Sequence, residues 1–317
     1  MDIEIRALNE EDYPRFFRAT ATGFGEKLSD ATADRELRIM EPGRTFVAAD
    51  GDQIVAGAAS LPFQLTVPGG DPVPCAGVTS VTTLPTYRRR GLGRRVHHRM
   101  LEDAHERQEA VSYLWASEAA IYQRLGYGTG AMACAFNIDR HRTSFLADRD
   151  RPGRLRVVEM DEALKLFPDV YERVRPDRPG MTNRTPTWWK YGTQHAEEHA
   201  GKDTAMFFAV YESEHSVDGY VWYTITEGWS HRGGPAHTLE VEELLGATDD
   251  AYLALWRYCF EVDLVAHIKG WKRPVDEPLL FMLVEPRAFG FQIRDGSWVR
   301  IVDLPSAMEG RWYAAEG

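Results

Sequence analysis

The stretch Val81-Thr82-Thr83-Leu84-Pro85-Thr86-Tyr87-Arg88-Arg89-Arg90-Gly91-Leu92-Gly93-Arg94-Arg95 constrains this chain more than any other. An extended, β-rich segment from Pro74 to Leu84 runs into it. Behind it, Val96, Met100, Leu101 and Ala104 recur on one face of a helical pattern. A turn rich in Arg and Gly therefore joins the end of a strand to the start of a helix. Glycines there let successive backbone N–H groups point into one concavity, and the helix N-terminus adds partial positive charge. The arginines supply fork-shaped donors for phosphate oxygens. This is the chemistry of a pyrophosphate cradle.

A chain of 317 residues with 44% hydrophobic and 11% aromatic content can bury the cores of two domains. Its formal net charge of −11 argues against a general nucleic-acid binder and mildly favours cationic substrates through long-range attraction. Cys75, Cys134 and Cys259 are far apart and odd in number, so neither a disulfide framework nor metal-type spacing is seen. The opening Met1-Asp2-Ile3-Glu4-Ile5-Arg6 alternates instead of forming a basic and then apolar leader, and no apolar run approaches a membrane span. The expectation is a cytoplasmic protein with no metal, no nucleic-acid partner and no membrane partner.

Residues 3–8 alternate like a strand, and Asn9 with Glu10, Glu11 and Asp12 opens a helix carrying Phe16, Phe17 and Ala21 on one side. A short helix is predicted over Asp30–Met40, then a hairpin of Arg44–Ala49 and Gln53–Val67 across Asp50-Gly51-Asp52. The strand Val73–Leu84 delivers the cradle. Beyond the cradle helix come a short apolar strand at Val111–Ala116, a short helix at Glu118–Leu125 and a closing strand at Thr129–Asp139. This order predicts an α/β domain with a mixed, mostly antiparallel sheet over residues 1–143.

Asp148-Arg149-Asp150-Arg151-Pro152-Gly153 reads as a linker, and the chain beyond it echoes the beginning. Arg156-Val157-Val158-Glu159-Met160-Asp161-Glu162-Ala163 repeats the strand, cap and acidic first turn of residues 5–12. Strands at Ala205–Tyr211, Gly219–Thr226 and His237–Leu244 lead to a helix from Asp249 with Tyr252, Leu255, Trp256, Cys259 and Val262 on one stripe. A structural repeat over residues 154–296 is therefore expected. Its counterpart of the Arg-rich turn is Glu242-Glu243-Leu244-Leu245-Gly246-Ala247-Thr248-Asp249-Asp250, whose carboxylates would repel a pyrophosphate. Residues 297–317 read as a further strand and turn with the start of a helix, too little to bury a core alone.

The spacing Arg88-x-x-Gly91-x-Gly93 between strand and helix resembles the coenzyme A signature of the GNAT acyltransferases, and so does the element order. With their flanks, residues Gly77 to Leu92 and the segment Ala116-Ser117-Glu118-Ala119-Ala120-Ile121-Tyr122-Gln123-Arg124-Leu125-Gly126-Tyr127-Gly128 are similar to the enhanced-intracellular-survival (Eis) type of that family. The resemblance implies tandem GNAT-like domains, the first catalytic and the second without a cofactor. It also implies a C-terminal sterol-carrier-like domain, of which residues 297–317 would be only the start. The implied activity is transfer of acetyl from acetyl-CoA to an amine of a small cationic, aminoglycoside-like molecule, in a homo-oligomer.

On the same resemblance, Arg88, Arg89, Arg90, Gly91, Leu92, Gly93 and Arg94 would hold the pyrophosphate, and Val81, Thr82 and Thr83 the pantetheine arm through their backbone. Ser117 and Glu118 match further coenzyme contacts. Tyr122, not Tyr127, matches the general acid that protonates the leaving thiolate. Glu26 matches an acidic position lining the substrate pocket, where it could bind a cationic amine. The family's base is the carboxylate at the very end of its C-terminal domain. Here the chain is either a short form or takes its base from elsewhere, such as a water chain to solvent. No Cys or Ser sits in a nucleophile arrangement near the cradle, so direct attack in a ternary complex is expected. Two other readings stay open: a protein lysine acetyltransferase, and a coenzyme A-binding module with little catalysis. A nucleic-acid role for Arg88, Arg89, Arg90, Arg94, Arg95 and Arg99 is opposed by the acidic whole and by the lack of interleaved aromatics beyond Tyr87.

Overall fold

Tyr13, Phe16, Phe17 and Ala21 recur at helical spacing, and all four are buried on one side of a helix that begins with Pro14 at its first turn. Such local patterns account for most elements. The computed structural model describes residues 3–147, 152–199, 201 and 204–313, so the expected linker lies largely outside the described residues. The first half runs β1 (Ile3–Ala7), α1 (Tyr13–Phe24), α2 (Asp30–Ile39), β2 (Thr45–Asp50), β3 (Gln53–Thr66), β4 (Pro72–Thr83), α3 (Leu92–Glu106), β5 (Val111–Trp115), α4 (Ala119–Gln123) and β6 (Gly128–Thr129). The chain continues through β7 (Met132–Asp139), β8 (Arg154–Val158), α5 (Met160–Val174), α6 (Pro186–His199), β9 (Thr204–Glu212), β10 (Val217–Thr226) and β11 (His237–Gly246). Then come α7 (Asp249–Glu261), β12 (Val265–Arg273), α8 (Leu279–Met282), β13 (Gln292–Asp295), β14 (Ser297–Ile301) and α9 (Leu304–Glu309).

The strands form two seven-stranded sheets, ordered β1-β2-β3-β4-β5-β14-β6 and β8-β9-β10-β11-β12-β7-β13. Position by position the two orders match. Each sheet holds one parallel pair, β4 with β5 and β11 with β12, among antiparallel neighbours. The expected repeat and the mixed, mostly antiparallel α/β architecture are both present.

The segment boundaries differ from the sequence reading. β7, expected to close the first domain, lies between β12 and β13 in the second sheet. β14, expected to open a separate C-terminal region, lies between β5 and β6 in the first. One compact unit therefore comprises Met1–Gly130, Pro176–Gln194 and Ser297–Gly317, and the other Ala131–Arg175 and His195–Gly296. Alternation tells which side chains of a strand face a core; it does not tell which core. Shape decides that. Phe136 of β7 stacks on Phe289 at 4.3 Å and meets Trp256 edge-on at 5.5 Å. Trp298 of β14 instead joins Leu114, Tyr122, Leu125 and Tyr127 in the first unit.

Candidate active site

The last residues of β4 are rich in β-branched side chains, which favour extended backbone. Ser80 interrupts them with a left-handed φ of 53°, and the β3–β4 register shifts between Gly57 and Ala59. Such a bulge bends the strand and increases its twist. On its other side β4 pairs with β5 only at Cys75↔Val111, Ala76↔Ser112 and Gly77↔Tyr113. β5 goes on through Leu114 and Trp115 bonded to β14. From Val78 the two strands part, leaving a fork with an open β4 edge that suits an extended ligand arm. Val78 and Val81 pack with Leu114 and Tyr122 around this fork. Thr82 faces α1, with its hydroxyl in the space that a Cβ on Gly23 would need, so only glycine lets the helix approach β4 there. The side chain of Thr83 borders Gly93, 3.0 Å from its Cβ position.

From β4 the chain passes through a 3-10 turn at Pro85–Tyr87 and enters α3 across Gly91. Arg89 and Gly91 both have left-handed backbone, φ 63° and 76°. Nothing lies within 4 Å of a Cβ on Gly91, so it is conformation and not crowding that selects glycine. No side chain caps α3, and its first-turn N–H groups are free to bind an anion.

The arginines divide into distinct roles. Arg88 donates to the Gly23 carbonyl at 2.9 Å and to the Thr83 carbonyl at 3.3 Å, tying the turn to α1 and β4; its guanidinium is spent on the fold. Arg90 donates to the Thr86 carbonyl at 3.1 Å and lies over the Tyr87 ring, whose hydroxyl donates to Asp50 at 2.8 Å. Arg89 and Arg94 are exposed and have no partner among the described residues. Arg99 is matched by Glu102 at 3.7 Å and Glu106 at 3.4 Å on its own helix, so the run of six arginines is not one free basic patch.

Ser117 and Glu118 are exposed at the opening of α4, and Tyr122 is buried at 7% exposure on the same helix. Burial first, and the Glu118 carboxylate second, push Tyr122 above its ordinary value of 10.0, so the phenol keeps its proton at neutral pH. The rings of Tyr127 and His97 meet it edge-on at 5.8 Å and 6.3 Å. Behind them runs a polar chain that the sequence did not reveal: His97 Nε2 to Tyr127 Oη at 3.0 Å, and Tyr127 Oη to Ser112 Oγ at 2.6 Å. Arg300 of β14 donates to the Leu125 carbonyl just past α4. Glu26 is exposed beyond the end of α1, its N–H donating to the Ala21 carbonyl at 2.9 Å.

Among the described residues, the corresponding positions of the second unit are occupied differently. Helix α7 is capped by the Thr248 hydroxyl, which accepts from the Ala251 N–H at 3.2 Å, and Asp249 and Asp250 fill its first turn. Between β11 and β12 the guanidinium of Arg273 donates to the Leu244 carbonyl at 3.0 Å and to Glu277 at 2.8 Å, spanning the corresponding fork. Helix α8, Leu279–Met282, carries no phenol. Among the described residues, no group of three or more His, Cys, Asp or Glu is placed to hold a metal ion. No helix among them is long and apolar enough to cross a membrane.

Two families, each described as an acetyltransferase (GNAT) domain, match residues 4–130 and 180–301. An uncharacterized N-acetyltransferase of Streptomyces avermitilis is 33% identical over 321 residues, spanning 99% of this chain and 77% of its own. N-acetyltransferase Eis of Mycobacterium tuberculosis is 32% identical over 330 residues, spanning 100% of this chain and 78% of its own. The crystal structure of Eis1 from Mycobacterium abscessus has a TM-score of 0.84 at 30% identity, covering 100% of this chain and 77% of that one. The likeness runs through both halves, so the family is that of the tandem arrangement and not of one domain. This chain belongs to the Eis-like N-acetyltransferases of the GNAT family.

Proposed function

We propose that the first unit alone is catalytic and transfers acetyl from acetyl-CoA to the amine of a small cationic, aminoglycoside-like molecule by direct attack in a ternary complex. The carrying observation is the meeting of three features there: an uncapped α3 N-terminus, an open β4–β5 fork, and a protonated phenol packed against both strands. The backbone of Gly91, Leu92 and Gly93, with Arg89, Arg90 and Arg94, binds the pyrophosphate; Arg88 shapes the turn. Val81, Thr82 and Thr83 hold the pantetheine along the open strand edge, and Ser117 and Glu118 flank it. As the amine nitrogen bonds to the acetyl carbon, the C–S bond breaks and Tyr122 gives its proton to the departing sulfur. The nitrogen loses its own proton to water, and solvent reprotonates Tyr122. Glu26 and the net charge of −11 draw the cationic acceptor. Direct attack is favoured because all three cysteines are buried and burial pushes each thiol upward, leaving no thiolate to carry acetyl.

Thiol release from acetyl-CoA should be followed against aminoglycosides, a polyamine and a lysine-containing peptide. Saturable release with the aminoglycosides and intersecting initial-velocity lines are expected. Coenzyme binding without release on any amine would overturn the catalytic reading, release on the peptide alone would overturn the substrate class, and parallel lines would overturn direct attack.

A further inference from the structure

We infer that His97 and Tyr127 are positioning residues for Tyr122, and that through Ser112 they register its phenol to the point where β4 and β5 part. The inference rests on the reading of Tyr122 as the general acid.

His97 is completely buried on the core face of α3, next to Val96 and Met100. A core histidine is normally explained by satisfied hydrogen bonds, yet here Nδ1 has none. A leucine of similar reach would avoid that desolvation cost, so stability alone does not account for an imidazole at this place. The direction of the polar chain is set by its end. The Ser112 hydroxyl donates to the Ala76 carbonyl at 3.4 Å, which leaves its oxygen to accept from Tyr127. Tyr127 Oη then accepts from His97 Nε2–H. Burial, with the charges of Arg300 and His98, pushes His97 down to about 4, so this neutral tautomer persists at neutral pH.

The chain begins at Ala76↔Ser112, one step before the last β4–β5 pair. It ends in the two rings that grip Tyr122 edge-on, at interplanar angles of 76° and 63°. Rotation of Tyr127 is opposed by hydrogen bonds on both sides of its hydroxyl, and a shift of Tyr122 toward that ring meets a side chain held in place. Proton transfer to the sulfur is steep in distance, so a misplacement of about 1 Å is enough to slow it strongly.

The test compares Tyr127→Phe, His97→Leu, His97→Gln and Tyr122→Phe in steady-state kinetics, with melting temperatures alongside. Tyr127→Phe removes one oxygen and keeps the ring; kcat should fall about tenfold while KM for acetyl-CoA stays within about twofold. His97→Leu should fall as far, and His97→Gln, whose amide N–H can replace Nε2–H, should recover most of the loss. In a Tyr122→Phe background, adding Tyr127→Phe should cost nothing further, because the effect acts through Tyr122. Wild-type kcat in Tyr127→Phe, or full additivity in the double variant, would overturn the positioning role even if His97→Leu fails to fold. Wild-type kcat in Tyr122→Phe would instead overturn the assignment of the acid itself.

Discussion

A phenol serves as a general acid only while it holds its proton, and Tyr122 is kept protonated by burial and by Glu118. The neighbouring imidazole is kept in the opposite sense. His97 lies at about 4 in the folded chain against an ordinary 6.5. Between those values the unfolded chain binds a proton that the folded chain refuses. Stability therefore rises with pH across the window, and is lost as pH falls from 6.5 toward 4, by ~3 kcal/mol at full extent. Thermal unfolding followed from about pH 8 to about pH 4 should show this loss in the wild type and its absence in His97→Gln; equal slopes would mean that His97 is not buried neutral. The segment around Tyr122 carries a recognisable pattern in the sequence, and the structure sets that ring beside Val78, Val81 and Leu114. His97 carries no such pattern: at a core-facing position of α3 it reads as one more buried residue, its partner Tyr127 stands 30 residues further along the chain, and Ser112, which bonds Tyr127, stands 15 residues before that.

The two strand-to-helix junctions are the same element with opposite chemistry. At α3 the cap is glycine and the first turn is open; at α7 the cap is Thr248 and carboxylates fill the first turn. Arg89→Ala with Arg94→Ala should weaken acetyl-CoA binding at least about tenfold by calorimetry. The melting temperature without ligand should stay put, since neither side chain has a partner to lose among the described residues. Thr248→Ala should do the reverse, costing about 1 kcal/mol of stability and leaving coenzyme affinity untouched. Unchanged affinity in the arginine variant would remove those side chains from the cradle. This contrast of junctions was visible in the residues alone, because a cap and its first turn are local. The diversion of Arg88 onto Gly23 was not, since its acceptor lies 65 residues earlier and no spacing rule connects them.

At the scale of the molecule, the repeat was legible and its boundaries were not, because each sheet takes one strand from beyond its own half of the chain. A fragment of residues 1–143 would keep β7 without the sheet it pairs in and would lack β14, Trp298 and Arg300 against the Tyr122 cluster. It should give little soluble protein and no cooperative melt, whereas the whole chain gives both; a stable, cooperative fragment would show that the exchange is dispensable. The exchange also sets an order in time. Thr129 closes β6 early in synthesis, and about half of the chain must still be made before Ser297 begins β14. At ~5–20 residues per second that wait is on the order of ten seconds or more. The Arg-Gly turn at α3 is thus made well before β14: a nascent chain holds that turn for some time before it receives the strand that carries Trp298 and Arg300 to the Tyr122 segment.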